Sequence, residues 1–224
     1  LTKAEARDAM ARLARDLGKR RSARLYRAFV QDALQWMASI PRVETRIYYA
    51  PRGARLERIQ ELAPPGAVKA LRFLPQGGGD LGGRLSRAFD QTLAGGSKAV
   101  IAVGTDCPLL GPEMVALAFA ALARKDLVLG PAADGGYYLV GLKRRAPSLF
   151  EDIPWSTERV LEATLEKARR SGLAVSLLPT LRDVDEIEDL RCLRLELEEA
   201  WRKGSLAAFP AHTFRALALD APAS

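Results

Sequence analysis

Lys98–Gly104 reads KAVIAVG, and the chain runs straight from it into Thr105-Asp106-Cys107-Pro108-Leu109-Leu110. A short, continuous apolar run bounded by turn residues is the pattern of a buried strand, as in a parallel sheet. Upstream of it, Val43–Ala50 and Val68–Leu74 are rich in β-formers and predict two more strands. Downstream, 127–130, 137–142 and 173–178 predict three further ones. Between these runs the apolar residues recur at helical spacing, over 3–17, 21–38, 54–62, 84–93, 112–124, 156–170 and 185 to about 201. Strands that alternate with helices predict an α/β fold with helices on both faces of the sheet. The connection between 127–130 and 137–142 is too short for a crossover helix, so one of those strands is expected to be antiparallel and the sheet mixed. Residues 204–224, rich in Ala and Pro, read as a loosely ordered tail.

The bulk numbers narrow the class. A chain of 224 residues with 48% hydrophobic and 27% charged residues is long and apolar enough for one domain with a real core, not a disordered chain. No run approaches the ~18 apolar residues of a membrane span, and no basic segment followed by an apolar one marks a secretory signal. Two distant cysteines, Cys107 and Cys192, make no disulfide framework and fit a reducing, cytoplasmic setting. The single histidine, His212, near the C-terminus, argues against zinc sites and catalytic triads built on histidine. The net charge of +7 is concentrated at the start, where Lys3, Arg7, Arg12, Arg15, Lys19, Arg20, Arg21, Arg24 and Arg27 face only Glu5, Asp8 and Asp16. These charges are read either as a solvated helix face or as a phosphate-attracting rim. No aromatics are interleaved with them, so a nucleic-acid partner is not expected.

In open α/β sheets ligands bind beyond the carboxyl ends of the strands. After 68–74 comes Gln76-Gly77-Gly78-Gly79-Asp80-Leu81-Gly82-Gly83-Arg84. Its glycines allow close backbone approach, the helix behind it would attract a phosphate, and Gln76 could pair with a base edge. A flexible surface loop is the plainer reading. The segment fits neither a Walker A loop nor a dinucleotide fingerprint. After 98–104, Asp106 is placed to hold Mg2+ or Mn2+ against substrate phosphates, or else to form an Asx-turn before Pro108. Cys107 reads as packing. Asp134-Gly135-Gly136 either presents Asp134 to an acceptor hydroxyl or simply turns the chain between two strands. Asp183 could complete a two-carboxylate metal site, whereas Asp185, with Glu188 three residues on, reads as a helix cap. Ser156 reads as another cap, and Trp155 as the wall of a sugar or packing pocket.

VIAVGTDCPLL, DLVLGPAADGGYYLVGL, IPWSTERVLEATLEKARRSG and LPTLRDVDEIEDL, in that order and spacing, resemble a bacterial family of glycosyltransferase-like proteins with the GT-A fold, some of them tied to arsenosugar-type biosynthesis. The resemblance covers about residues 20–195. It implies a three-layer, GT-A-like α/β fold with a mixed, mostly parallel sheet, within the superfamily of nucleotide-diphospho-sugar transferases. Sugar-nucleotidyltransferases, the molybdenum-cofactor nucleotidyltransferases and phospholactate guanylyltransferase are relatives there. By this resemblance Gln76 and the Leu81-Gly82-Gly83 turn contact the nucleobase, with Asp80, Arg84 and Thr105 also lining the nucleotide. Asp106, followed by Pro108, binds the metal, and Asp183 or Asp185 is the late metal ligand. The family normally opens with an apolar strand and a basic phosphate loop, which this sequence, beginning at Leu1, lacks.

The expectation is a single-domain, metal-dependent glycosyltransferase using Mg2+ or Mn2+, a nucleotide-sugar donor and a small-molecule acceptor, with Asp106 and Asp134 in the catalytic roles. Nucleotidyl transfer from an NTP to a phosphorylated acceptor is the second reading. A polyanion-binding module built on the basic N-terminal helices is the third. The sequence is compatible with a homodimer.

Overall fold

A computed structural model describes residues 12–50, 56–205 and 208–219. Its helices are α1 (12–17), α2 (Lys19–Ser39), α3 (Leu56–Gln60), α4 (Leu81–Ala94), α5 (Pro112–Leu122), α6 (Val160–Arg170), α7 (Ile187–Lys203) and α8 (Ala211–Leu219). Its strands are β1 (Thr45–Tyr49), β2 (Leu71–Pro75), β3 (Val100–Val103), β4 (Leu127–Pro131), β5 (Tyr137–Leu142) and β6 (Val175–Leu177). Helices and strands alternate through most of the chain, as the periodicity predicts. Among the described residues no helix is long and apolar enough to cross a membrane. The chain divides into two compact units, one of Leu1–Gln76, Thr105–Pro112 and Val184–Ser224, the other of Gly77–Gly104 and Glu113–Asp183.

In the first unit β1 and β2 pair in parallel, Thr45 opposite Leu71 through Tyr49 opposite Pro75. The core is helical. Leu25, Ala28 and Phe29 of α2 meet Leu190, Leu193 and Leu197 of α7 and Ala216 of α8. Spacings of three and four residues place each set on one side of its helix. The cap of α7 differs from the expected Asp185–Glu188 pair. Glu186 is the N-cap, and it forms a reciprocal capping box with Asp189. The Asp189 carboxylate also accepts from the Asp185 amide at 3.2 Å. The Asp185 side chain is therefore not used in capping and pairs with Arg12 instead.

The expected loose tail, 204–224, is corrected over 211–219, while 206–207 and 220–224 lie outside the described residues. Residues 211–219 form α8, with Thr213 and Ala216 buried. The helix takes its cap from a distant side chain, because the buried Asp32 carboxylate accepts from the amides of His212 at 3.0 Å and Thr213 at 2.7 Å. A carboxylate on first-turn amides satisfies two otherwise orphaned donors and interacts favourably with the positive end of the helix dipole. Asp32→Ala should cost about 2 kcal/mol, from the lost cap and the buried amides left unpaired. Asp32→Asn should cost less, because its side-chain oxygen still accepts. Urea unfolding followed by circular dichroism measures both.

The second unit is built on a four-stranded sheet in the order β3-β5-β4-β6. β5 runs antiparallel to both β3 and β4, while β4 and β6 are parallel, so one reversed strand sits among three that share a direction. The short β4–β5 connection permits only this hairpin-like return. β4 is buried along its whole length. β3, the KAVIAVG strand, lies at the end of this sheet's order, is half-buried, and pairs antiparallel with β5, which corrects the expectation of a buried parallel strand. Leu127, Leu129, Val140 and Leu142 pack with Phe89 of α4 and with Leu149 and Phe150. α6 starts at Val160 without a side-chain cap, so Ser156 does not cap it. Ser156 instead sits at φ 63° in the preceding loop.

Candidate active site

Gln76 extends the β1–β2 pairing, its amide donating to Tyr49 O at 2.8 Å. Beyond it, the Gly-rich segment is a loop only as far as Asp80, because α4 begins at Leu81 and takes Gly82 and Gly83 into its first turn. The Asp80 carboxylate caps the helix by accepting from the Gly83 amide at 2.9 Å. A fixed carboxylate thus already sits where the bare helix terminus would draw a phosphate. Arg84 follows, its amide bonded to Asp80 O at 3.2 Å. Arg87 reaches back past the start of α4 and donates to Gly78 O, so the loop is held against its own helix. Gly82 is required by close approach: a Cβ there would stand 2.2 Å from Phe150 O and 2.9 Å from Trp155 Nε1. Trp155 in turn meets Tyr137 edge-on, ring centroids 6.2 Å apart. The glycine turn, Trp155 and Tyr137 therefore form one wall of the second unit.

Asp134 fulfils its turn role and keeps an exposed carboxylate. One oxygen accepts from the Gly136 amide at 2.8 Å, as in an Asx-turn. The turn closes with Gly135 N on Ala132 O at 3.2 Å and is tied to the start of α6 by Leu161 N on Gly135 O at 2.9 Å. The backbone then brings a second acid to it. Ala133 N donates to Leu181 O at 3.0 Å, and Ala132 and Leu181 form a parallel bridge. That bridge sets Asp183 beside Asp134, with a carboxylate oxygen of each within 4.8 Å of the other. Asp185 follows two residues along the chain, in the first unit.

In the first unit, Asp106 leads the segment that follows β3. Its carbonyl accepts from Val184 N at 3.0 Å, which joins that segment to the stretch entering α7. Thr105 Oγ1 lies 3.4 Å from the hydroxyl of Tyr26. Burial pushes the Tyr26 hydroxyl above its ordinary pKa against the lowering bond to Thr105, and the charge of Asp106 pushes it further up. Tyr26 is thus a neutral hydrogen-bonding group at physiological pH, not a phenolate. Cys107 is buried, in keeping with a packing role.

Three contributors escape a sequence reading. Tyr26 looks like a core residue of an amphipathic helix, Arg12 is one of many early basic residues, and Arg87 is one exposed arginine among several. The charge density around Arg12 was a visible signal, but nothing in the sequence pairs it with Asp185.

A crystal structure from Desulfovibrio desulfuricans G20, described as a "putative nucleotide-diphospho-sugar transferase", is similar to this chain with a TM-score of 0.82 and 33% sequence identity, over 94% of this chain and 88% of that one. The fold is that of the GT-A-like nucleotide-diphospho-sugar transferases. Residues 33–157, just over half of the sequence, match the family described as "Uncharacterized protein conserved in bacteria (DUF2064)", and the chain belongs to that family. The matched stretch contains the glycine turn, Asp106 and Asp134. No curated protein matches the chain.

Proposed function

We propose that this protein is a metal-dependent glycosyltransferase that moves a sugar from a nucleotide-sugar donor to a small acceptor. The observation that carries the reading is the backbone bridge between 132–133 and 181, which holds the carboxylates of Asp183 and Asp134 together on a GT-A-like fold. Adjacent carboxylates repel, by about 1 kcal/mol per pair in water and more near a protein surface. The group offers only carboxylate oxygens, which suits Mg2+ or Mn2+ rather than a soft metal. In the second unit Asp183 would hold such an ion, and Asp106 and Asp185 of the first unit are the further ligands that the family resemblance implies. When bound, the ion would neutralise the charge that develops on the departing nucleoside diphosphate.

The chain's own groups do the rest. Gly82 and Gly83 of the second unit, with Asp80 and Arg84, would receive the nucleotide, and Gln76 and Thr105 of the first unit are the contacts that the family resemblance adds. Trp155 and Tyr137 would offer apolar faces to a sugar. Asp134 would accept the hydrogen bond of the attacking acceptor hydroxyl and orient it toward the sugar. Tyr26 would hold Thr105 and so position the Asp106 segment.

The test is a thermal-shift panel of nucleoside diphosphate sugars and nucleoside triphosphates, with and without Mn2+. A ligand that binds only the folded state raises its melting temperature by mass action. The expected result is a Mn2+-dependent rise with one nucleotide sugar, followed by release of the nucleoside diphosphate when acceptor is added. A rise with triphosphates alone, with pyrophosphate released, would replace glycosyl transfer by nucleotidyl transfer. No rise with any of them would sink the reading.

A further inference from the structure

Helix α7 buries Leu190, Leu193, Leu197 and Ala200 on one side. On the opposite side, every three or four residues, it exposes Glu188, Arg191, Leu195, Glu199 and Arg202. These five lie along one line of the helix surface. Leu195, at the centre, is 67% exposed and stands between charges. The order of charge is the informative feature. Reading outward from Leu195, the residue four before is Arg191 and the residue four after is Glu199. Seven before stands Glu188, and seven after stands Arg202. Every charge is opposite in sign to the one equally far away on the other side.

A stripe of this kind is complementary to itself when reversed. A two-fold axis through Leu195, perpendicular to α7, sets the helix antiparallel to a copy of itself. That places Leu195 on Leu195, Glu188 against Arg202 and Arg191 against Glu199, each pair occurring twice. This is the requirement for a closed, isologous dimer. A uniformly acidic or basic partner would instead meet two like charges along the same line, and opposed charges of one sign are what suppress a wrong partner. We infer that the outer face of α7 is a self-association surface, and that its occupant is a second copy of this chain, antiparallel about Leu195.

Within one chain Arg191 pairs with Glu188 and Lys203 with Glu199. Such helix-surface pairs contribute only a few tenths of a kcal/mol each, so they are readily exchanged for pairs across the axis. At 1.5 Å per residue the stripe is about 21 Å long, too short for a standard interface of roughly 1,600 Å². The dimer is therefore reversible and sensitive to salt, since exposed charges are screened over about 10 Å at 0.1 M ionic strength.

Sedimentation velocity on the full chain tests this. At low salt the average mass should rise from one chain toward two as concentration goes from about 1 µM to several hundred µM. Glu188→Lys with Glu199→Lys makes the stripe wholly positive, and Arg191→Glu with Arg202→Glu makes it wholly negative. Each double variant alone should associate at least about tenfold more weakly, and an equimolar mixture of the two should recover the dimer. Leu195→Asp should be monomeric. Glu196→Lys, exposed on α7 but off the stripe, should dimerise as wild type does. Wild type that stays monomeric throughout, double variants that associate unchanged, or a mixture that fails to recover would each overturn the inference.

Discussion

Asp183→Asn should abolish the Mn2+-dependent rise in melting temperature and lower turnover by about a hundredfold, close to 3 kcal/mol of transition-state stabilisation. The substitution keeps the shape of the side chain and removes one negative charge. Residue 183 is placed by the main chain on either side of it, through Leu181 O to Ala133 N and Val184 N to Asp106 O, and neither bond uses the Asp183 carboxylate. The metal-free variant should therefore still fold to the native state. The combination of normal folding and lost metal response is the diagnostic result. A variant that still responds to Mn2+ would remove Asp183 from the site, and one that fails to fold would show a structural role instead. Asp106→Ala provides the parallel measurement for the strand-end carboxylate. If it leaves divalent-ion affinity and turnover unchanged, Asp106 drops out of the proposal while the Asp183 result stands.

Gly135→Ala should be the most destabilising single-methyl change in the second unit, by about 3 kcal/mol or more. Two costs combine. Gly135 has φ +89°, where an L side chain is strained, and a Cβ there would stand 2.1 Å from Glu158 O, which is backbone and cannot swing away. Relief requires moving the β4–β5 turn away from the chain that leads into α6. That movement also breaks the Leu161 N to Gly135 O bond and shifts Asp134 relative to Asp183. The melting temperature should fall by roughly 6–12 °C, and turnover of the folded fraction should fall with it. Gly172→Ala is the control, since φ there is +62° but nothing lies within 4 Å of the new Cβ. It should show only the strain of the left-handed backbone, about 1 kcal/mol. Equal losses at the two positions would mean that the turn is held loosely and that Glu158 gives way.

The candidate site divides by how far apart its parts lie in the sequence. The glycine turn is legible as a run of glycines, but the close approach that Gly82 makes is to Phe150 O, a packing contact within the protein and not the ligand approach expected from the sequence. Its helical state is not legible, because whether Leu81 begins a helix depends on Asp80 capping Gly83, and a glycine pair carries no helix propensity of its own. Asp134 is legible as a turn residue, since its bond to Gly136 spans two positions. Its nearness to Asp183 is not, because that rests on a backbone bridge from 132–133 to 181. Asp185 shows how near misses arise. An acid three residues before another acid, at a helix start, fits the capping pattern, yet the box closes one residue later on Glu186 and Asp189. A shift of one position is beyond what a pattern of similar acids resolves.

From the sequence alone follow the alternation of strands and helices, the reversal of one strand of the β4–β5 pair and the Gly-rich entry to α4. Each follows from periodicity or chain reach within a dozen residues. Long-range packing settles the rest: β3 pairs with the reversed β5, residues 211–219 become a helix under the Asp32 carboxylate, and Asp183 stands beside Asp134. Those outcomes depend on groups some 40 to 180 positions apart. Their energy comes from satisfying buried donors and covering apolar surface, and that is settled only once the whole chain has closed around them.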